Sequence, residues 1–222
     1  MKVLIHAVPR RMWYVTNFLV PELERQGADQ IEIWNDSDKL GNLHACMKSF
    51  EARTGHDATW HIQDDVLLCR DFVKRCREHD KGVAIGFCCR HFYDDPTKTG
   101  TVYIPDSWGS FQCVRIPDDY ARECAAWFTA GEWQKSPNPE IPLLYAANKG
   151  DDTFFHEFLQ MEHGRETVEN IAPNLVEHVD YIIGGSTLHW WRDALPVSDH
   201  WDDKELVQEL KVAVRPYVKH VN

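Results

Sequence analysis

The sequence predicts an α/β fold: one large domain built on a mixed, mostly parallel central sheet flanked by helices. Three observations predict it. Short apolar runs alternate with amphipathic stretches through the first third of the chain, in the order strand, helix, strand, helix, strand. Two adjacent carboxylates, Asp64 and Asp65, follow the third run. Polar clusters follow the first two runs, Pro9-Arg10-Arg11 and Asn35-Asp36, and open α/β sheets bind ligands outside the C-terminal ends of their strands.

The elements follow in order. Val3 to Val8 is an apolar run of strand length, ended by Pro9-Arg10-Arg11. Val15, Phe18, Leu19 and Leu23 share a helical face, and Gln26-Gly27 stops that helix. Ile31 to Trp34 is the second strand, and Asn35-Asp36-Ser37-Asp38 is a polar exit with helix-capping chemistry. Leu40, Leu43, Met47 and Phe50 make the buried stripe of a second helix, and Thr54-Gly55-His56-Asp57 turns into the strand Ala58 to Gln63.

Beyond the acids and the apolar trio Val66 to Leu68, Phe72 to His79 is a mixed-charge helix and Gly82 to Cys88 a strand. Residues 90–100, with Asp94, Asp95 and Pro96, form a polar loop. Thr101 to Ile104 and Phe111 to Ile116 are further strands, joined by a turn at 105–109. Pro117-Asp118 starts a helix through Cys124, Trp127 and Phe128, and Lys135 to Pro142 is a proline-stiffened loop. Gly150-Asp151-Asp152-Thr153 opens a helix bearing Phe154, Phe155 and Phe158. A β-rich stretch, Leu175 to Val179, carries His178, and Gly184-Gly185-Ser186-Thr187 is a small-residue loop. After Pro196 a polar tail, 196–222, carries a short amphipathic helix through Leu206, Leu210 and Val214 that bends or ends at Pro216.

Composition bounds the function. The 222 residues suffice for one domain with an ample core. The net charge of −11, from 35 acids against 24 bases, argues against broad nucleic-acid binding through phosphates. No basic-then-apolar leader and no 18-residue apolar run is present, which implies a protein without a membrane span. Seven cysteines, Cys88-Cys89 among them, form no CxxC pair and read as reduced thiols of a cytoplasmic protein. Nine tryptophans are core material first, although their faces also stack on sugar rings.

The acids at the end of the third strand hold the chemistry. Two like charges about 4 Å apart repel by roughly 4 kcal/mol at an effective dielectric near 20. A shared proton, an Arg or Lys, or a divalent cation must offset that. Oxygen ligands suit Mg²⁺ or Mn²⁺. The plain alternative is that Asp64 and Asp65 only leave the strand and begin a turn. Arg10 and Arg11 read either as solvated surface or as phosphate contacts, and His178 either as a core histidine or as a ligand. At Asp151-Asp152 one acid suffices to cap the helix, which leaves Asp152 free to face a cleft.

These residues and their order resemble the GT-A fold of nucleotide-sugar glycosyltransferases, a Rossmann-like single domain. Gln63-Asp64-Asp65 is similar to that family's E-D-D motif, with Gln in place of the first acid. Asp151-Asp152 resembles its second acidic pair, and Pro173-Asn174-Leu175-Val176-Glu177-His178 with Gly184-Gly185-Ser186 resembles a late P-x-L-V-x-H…S segment. The match spans roughly residues 1 to 190 on three short motifs. It implies a domain over 1–195, with a nucleotide-binding half over 1–100 and an acceptor-binding half over 101–195. It implies Asp65 and His178 as ligands of Mn²⁺ or Mg²⁺, with Asp64 near the ribose or metal waters. Pro9, Arg10, Arg11, Asn35 and Asp36 would then complete the nucleotide site.

On this resemblance the activity is transfer of a sugar from a nucleoside-diphosphate sugar, a UDP-sugar first among them, to a carbohydrate or other hydroxyl acceptor. Asp152, with Asp151 beside it, would take the acceptor proton in an inverting enzyme; a retaining enzyme would not need it. Three other readings use the same residues. They are a metal-dependent phosphoesterase or nucleotidyltransferase, a non-catalytic nucleotide- or carbohydrate-binding protein, and transfer onto a modified DNA base.

Overall fold

The computed structural model describes residues 1–55, 57–79, 81–86, 100–103, 111–164, 167–184 and 201–218. His56, Cys88-Cys89, the loop with Asp94 to Pro96, the turn at 105–109, Gly185-Ser186-Thr187 and the boundary at 195/196 lie outside them.

The chain builds an α/β fold around a seven-stranded sheet. Its strands are β1 (Lys2–Ala7), β2 (Gln30–Asn35), β3 (Ala58–Gln63), β5 (Val83–Ile85), β6 (Gly100–Tyr103), β7 (Cys113–Pro117) and β8 (Thr167–Asn170), in the spatial order β2-β1-β3-β7-β5-β8-β6. β1 pairs in parallel with β2 and with β3, and β5 with β8. β7 and β6 run against their neighbours, so five of the seven strands share one direction. The three opening strands are therefore adjacent, and their C-terminal ends lie at one edge. A second, two-stranded sheet joins β4 (Val66–Leu68) to β9 (Val176–His178) in antiparallel register.

Alternation of side chains divides the core. Val3, Ile5, Ala7, Trp60 and Ile62 pack under the helical segment 12–25 and the helix Phe72–Glu78, through Tyr14, Val15, Leu19, Leu23, Phe72 and Val73. Val114 and Ile116 pack on the other side against Leu43, Met47 and Phe50 of Asn42–Glu51, Ala121 and Trp127 of Asp118–Thr129, and Phe154, Phe155 and Phe158 of Asp151–Phe158. Burying each such side chain fully is worth about 1.5–3 kcal/mol. Val207, Leu210 and Val214, on and just after the helix Lys204–Ala213, are buried too; Leu210 and Val214 join the first cluster.

Local chemistry explains the element ends. The segment 12–25 widens into a π turn over Val15–Leu19, just ahead of Pro21, which has no N–H to donate. It stops at Gly27 (φ 81°), where the Ala28 N–H returns to the Leu23 carbonyl. Leu40, expected on the buried stripe of the second helix, lies ahead of that helix and is 37% exposed; the helix opens at Asn42. The stretch 135–142, expected as loop, is loop over 136–140, between a 3-10 turn, Glu132–Lys135, and the helix Ile141–Ala147. Pro142 sits in that helix's first turn, where a missing N–H forfeits no bond. β8 had no expectation in the sequence.

Candidate functional site at the strand ends

Asp64 extends the parallel ladder by one step: its N–H donates to the His6 carbonyl at 3.0 Å. This fixes its carboxylate over the end of β1, where Oδ2 accepts the Val8 N–H at 2.7 Å and Oδ1 lies 2.8 Å from Arg11 Nη1. The same Arg11 nitrogen bonds Asp65 Oδ2. Both acids are buried, as is Arg11.

The small sheet brings in the late segment. The Asp65 carbonyl accepts the Val179 N–H at 2.8 Å, and Val66 lies opposite His178. His178 Nε2 is thereby held 3.0 Å from Asp65 Oδ2, and its Nδ1 lies 3.8 Å from Asp180 Oδ1. One donor atom each from Asp65, His178 and Asp180 lie within 4.8 Å of one another. The Tyr14 hydroxyl donates to the Val66 carbonyl at 2.8 Å and pins the entry to β4.

Of the three ways to offset the paired acids, the described residues supply an arginine. Burial pushes the Asp64 carboxyl up; the Arg11 guanidinium pulls it down, Asp65 pushes it up again and the Val8 N–H opposes that. The Arg11 guanidinium faces Asp64 and Asp65, and Asp180 adds a further carboxylate beside His178. Asp65 Oδ1 and both ring nitrogens of His178 are buried without a well-aligned hydrogen-bond partner among the described residues. Two carboxylates and an imidazole brought this close together fit Mn²⁺ or Mg²⁺ by their donor chemistry.

The other strand-end residues have distinct settings. Pro9 and Arg10 are exposed on the 3-10 turn Pro9–Arg11, and the Arg10 charge reaches Asp64. Asn35 is exposed at the end of β2. Asp36 is buried, and its carboxylate accepts the N–H groups of Leu40 (2.7 Å) and Gly41 (3.0 Å), so it builds the turn into the next helix.

The second acidic pair departs from expectation. Gly150, in the left-handed region (φ 75°), is the N-cap of Asp151–Phe158, and no side chain caps that helix. Asp151 is buried, and its Oδ1 accepts Asn42 Nδ2 at 2.7 Å, so it ties two helix starts together. Asp152, half-buried, accepts the Thr153 N–H at 2.7 Å. The expectation that Asp151 caps the helix is thus corrected. A helix N-terminus favours the ionised form of an acid, but burial outweighs it here and raises both carboxyls above their ordinary range.

Sequence reasoning missed Asp180, Asn42 and Tyr14. Asp180, two residues past His178, was the legible one, since an acid so close to a candidate ligand is a candidate itself. Asn42 and Tyr14 act through partners 109 and 52 residues away, and nothing local marks them.

No family model matches this sequence, and no curated protein matches it. Solved structures do match it, two of them as follows. The inositol-1-phosphate CTP transferase from T. maritima aligns over 95% of this chain and 96% of its own, at 10% identity and a TM-score of 0.45. A structure assigned as a glucose-1-phosphate thymidylyltransferase from Bacillus anthracis, in complex with a sucrose, aligns over 78% and 87% at 13% identity and a TM-score of 0.37. Neither likeness bears on what this chain does; the residues of the site carry that.

Proposed function

We propose that this chain is a metal-dependent glycosyltransferase that moves a sugar from a nucleoside-diphosphate sugar to a hydroxyl acceptor. The observation that carries the reading is the buried cluster of Arg11, Asp64, Asp65, His178 and Asp180 where β1 and β3 end. A strand-end site with oxygen and imidazole donors beside an arginine suits a diphosphate and its cation. Asp65 and His178 hold the Mn²⁺ or Mg²⁺ in this reading, with Asp180 as a further donor. The bound cation supplies Lewis-acid neutralisation of the leaving phosphates.

The chain's own groups supply the rest. Arg10, exposed on the turn, meets the phosphates, and Arg11 shares its charge between the acids and the donor. Pro9, Asn35 and Asp36 border the nucleoside, and Asp64 its ribose. Asp152 takes the acceptor proton, worth typically about 10²- to 10⁴-fold; its raised pKa makes it a stronger base than an exposed aspartate. Asp151, held by Asn42, fixes the backbone from which Asp152 reaches. Residues 1–100 form the donor half, 101–195 the acceptor half and 196–222 a tail. No helix among the described residues is long and apolar enough to cross a membrane. The five cysteines among the described residues are buried and free, which suits a reducing cytoplasm.

The test is product analysis with Mn²⁺ present. A panel of nucleoside-diphosphate sugars is offered and release of nucleoside diphosphate measured; in parallel, nucleoside triphosphates with sugar 1-phosphates are offered and pyrophosphate measured. Diphosphate release lost in Asp65→Asn supports sugar transfer. Pyrophosphate alone makes the chain a nucleotidyltransferase, and thermal stabilisation by nucleotide sugar without turnover makes it a binding protein.

A further inference from the structure

A second cluster lies beneath the strand ends, among residues the proposed reaction does not use. His6 near the end of β1, His61 in the middle of β3 and Cys46 on the helix Asn42–Glu51 bring one donor atom each within 4.8 Å of one another. All three are buried; Cys46 and His61 have no exposed surface, and His6 keeps 8%. Sheet geometry explains the meeting. Leu4 pairs with His61 and His6 with Gln63, so the two imidazoles are diagonal neighbours on one face, and the helix that covers this face presents Cys46.

Packing does not account for the whole arrangement. His61 stands edge-on to Phe50 and Phe111, and His6 edge-on to His61, as ordinary aromatic packing would have it. Yet His61 Nε2 is fully buried with no hydrogen-bond partner among the described residues, and its Nδ1 meets only a long contact, 3.4 Å, from Arg53 Nη2. Leaving such a nitrogen unsatisfied costs about 1–3 kcal/mol, and an apolar side chain would fill the space without that cost.

We propose that His6, His61 and Cys46 form a structural site for a borderline-soft divalent metal of the Zn²⁺ class. Two imidazoles and a thiolate select such ions over Mg²⁺ and Mn²⁺. With bonds of about 2.0–2.3 Å, a tetrahedral set has edges of about 3.5 Å, so the cluster closes onto an ion with small side-chain rotations. On binding, the Cys46 S–H bond breaks, the sulfur–metal bond forms and the proton leaves to water. The thiolate offsets half of the ion's charge, and Asp118 already faces the Arg53 guanidinium at 3.5 Å. A water enters as fourth ligand from the His6 side, the one part of the cluster with exposed surface. The ion would clamp β1, β3 and the covering helix together. The His6 carbonyl receives the Asp64 N–H, so the clamp would stiffen the backbone that carries the strand-end acids.

The test uses the full chain, stripped with a chelator and titrated with Co²⁺. Co²⁺ at this site yields a near-ultraviolet thiolate-to-metal band that saturates at one equivalent and is displaced by Zn²⁺. The band is lost in Cys46→Ser and kept in Asp65→Asn, because the strand-end cluster contains no sulfur. Should Cys46→Ser fail to fold, His6→Gln decides, with at least a tenfold loss of Co²⁺ affinity expected. Absence of the band in the wild-type chain, its survival in Cys46→Ser, or unchanged affinity in His6→Gln overturns the proposal. None of these readouts depends on sugar transfer.

Discussion

Arg11→Met removes the guanidinium from between Asp64 and Asp65 while keeping a side chain of similar length. Asp64, Asp65 and Arg11 are all at least nine-tenths buried, so the charges left behind are poorly solvated. Removing one partner of a buried pair typically costs about 3–5 kcal/mol, and the repulsion it unmasks is of similar size at an effective dielectric near 20. For 222 residues, with about 2.1 cal/mol/K of unfolding entropy per residue, that loss lowers the melting temperature by about 6–11 °C. The sign with pH follows from proton binding. Without Arg11 the two acids hold a proton more tightly when folded, so the variant loses stability as pH rises, and its deficit is smallest in acid. Mn²⁺ at a hundred times its dissociation constant restores about 2.7 kcal/mol by mass action. Thermal unfolding of both proteins from pH 5 to 8, with and without Mn²⁺, measures all three effects. A shift under about 2 °C, or a deficit that does not grow with pH, refutes the electrostatic account.

Asp65→Asn and His178→Gln each weaken Mn²⁺-dependent nucleotide-sugar binding at least tenfold by calorimetry, while Arg10→Ala weakens it without changing the metal requirement. Asp152→Asn keeps the fold and donor binding but lowers transfer by about 10²-fold or more, and wild-type transfer rises with pH as the raised Asp152 carboxyl loses its proton; a variant with the wild-type rate would move the base elsewhere. The Asp151 carboxyl, pushed by burial from an ordinary 3.8 to about 7, contributes stability that is complete below the lower value and lost as pH rises through the upper one. Asp151→Asn therefore flattens that part of the denaturant-unfolding profile. Gly41→Ala destabilises by about 1–3 kcal/mol, because φ is +83° and a Cβ would run into the Asn148 amide; unchanged unfolding would show that the Asn148 contact yields freely.

Much of the fold up to β3 was legible because its signals are local. Val3 to Val8, Ile31 to Trp34 and Ala58 to Gln63 fall within a residue or two of β1, β2 and β3, and Gly27 stops its helix as glycine chemistry requires. The sheet beyond β3 was not legible. β7 inserts antiparallel between β3 and β5, and β8 pairs with β5 across more than eighty residues, partnerships that no apolar run announces. The site was legible as residue types and not as bonds. Asp64, Asp65, Arg11 and His178 stood out singly, but one guanidinium joining both acids is a tertiary fact. Asp151 left its expected cap role because its decisive partner, Asn42, belongs to another helix.

The Val66–His178 pairing makes the site a late event in the life of the chain. A ribosome releases both strand-end acids and Arg11 long before His178, so the nascent chain carries half a site for the time it takes to make roughly a hundred residues. Closing so long a loop is slow, and it has to be closed in one register: a slip by a single residue would turn His178 to the opposite face of β9. On the proposed reading, Mn²⁺ taken up at the strand-end site during refolding should therefore report the docking of β4 on β9, and it should lag behind formation of the parallel β2-β1-β3 ladder.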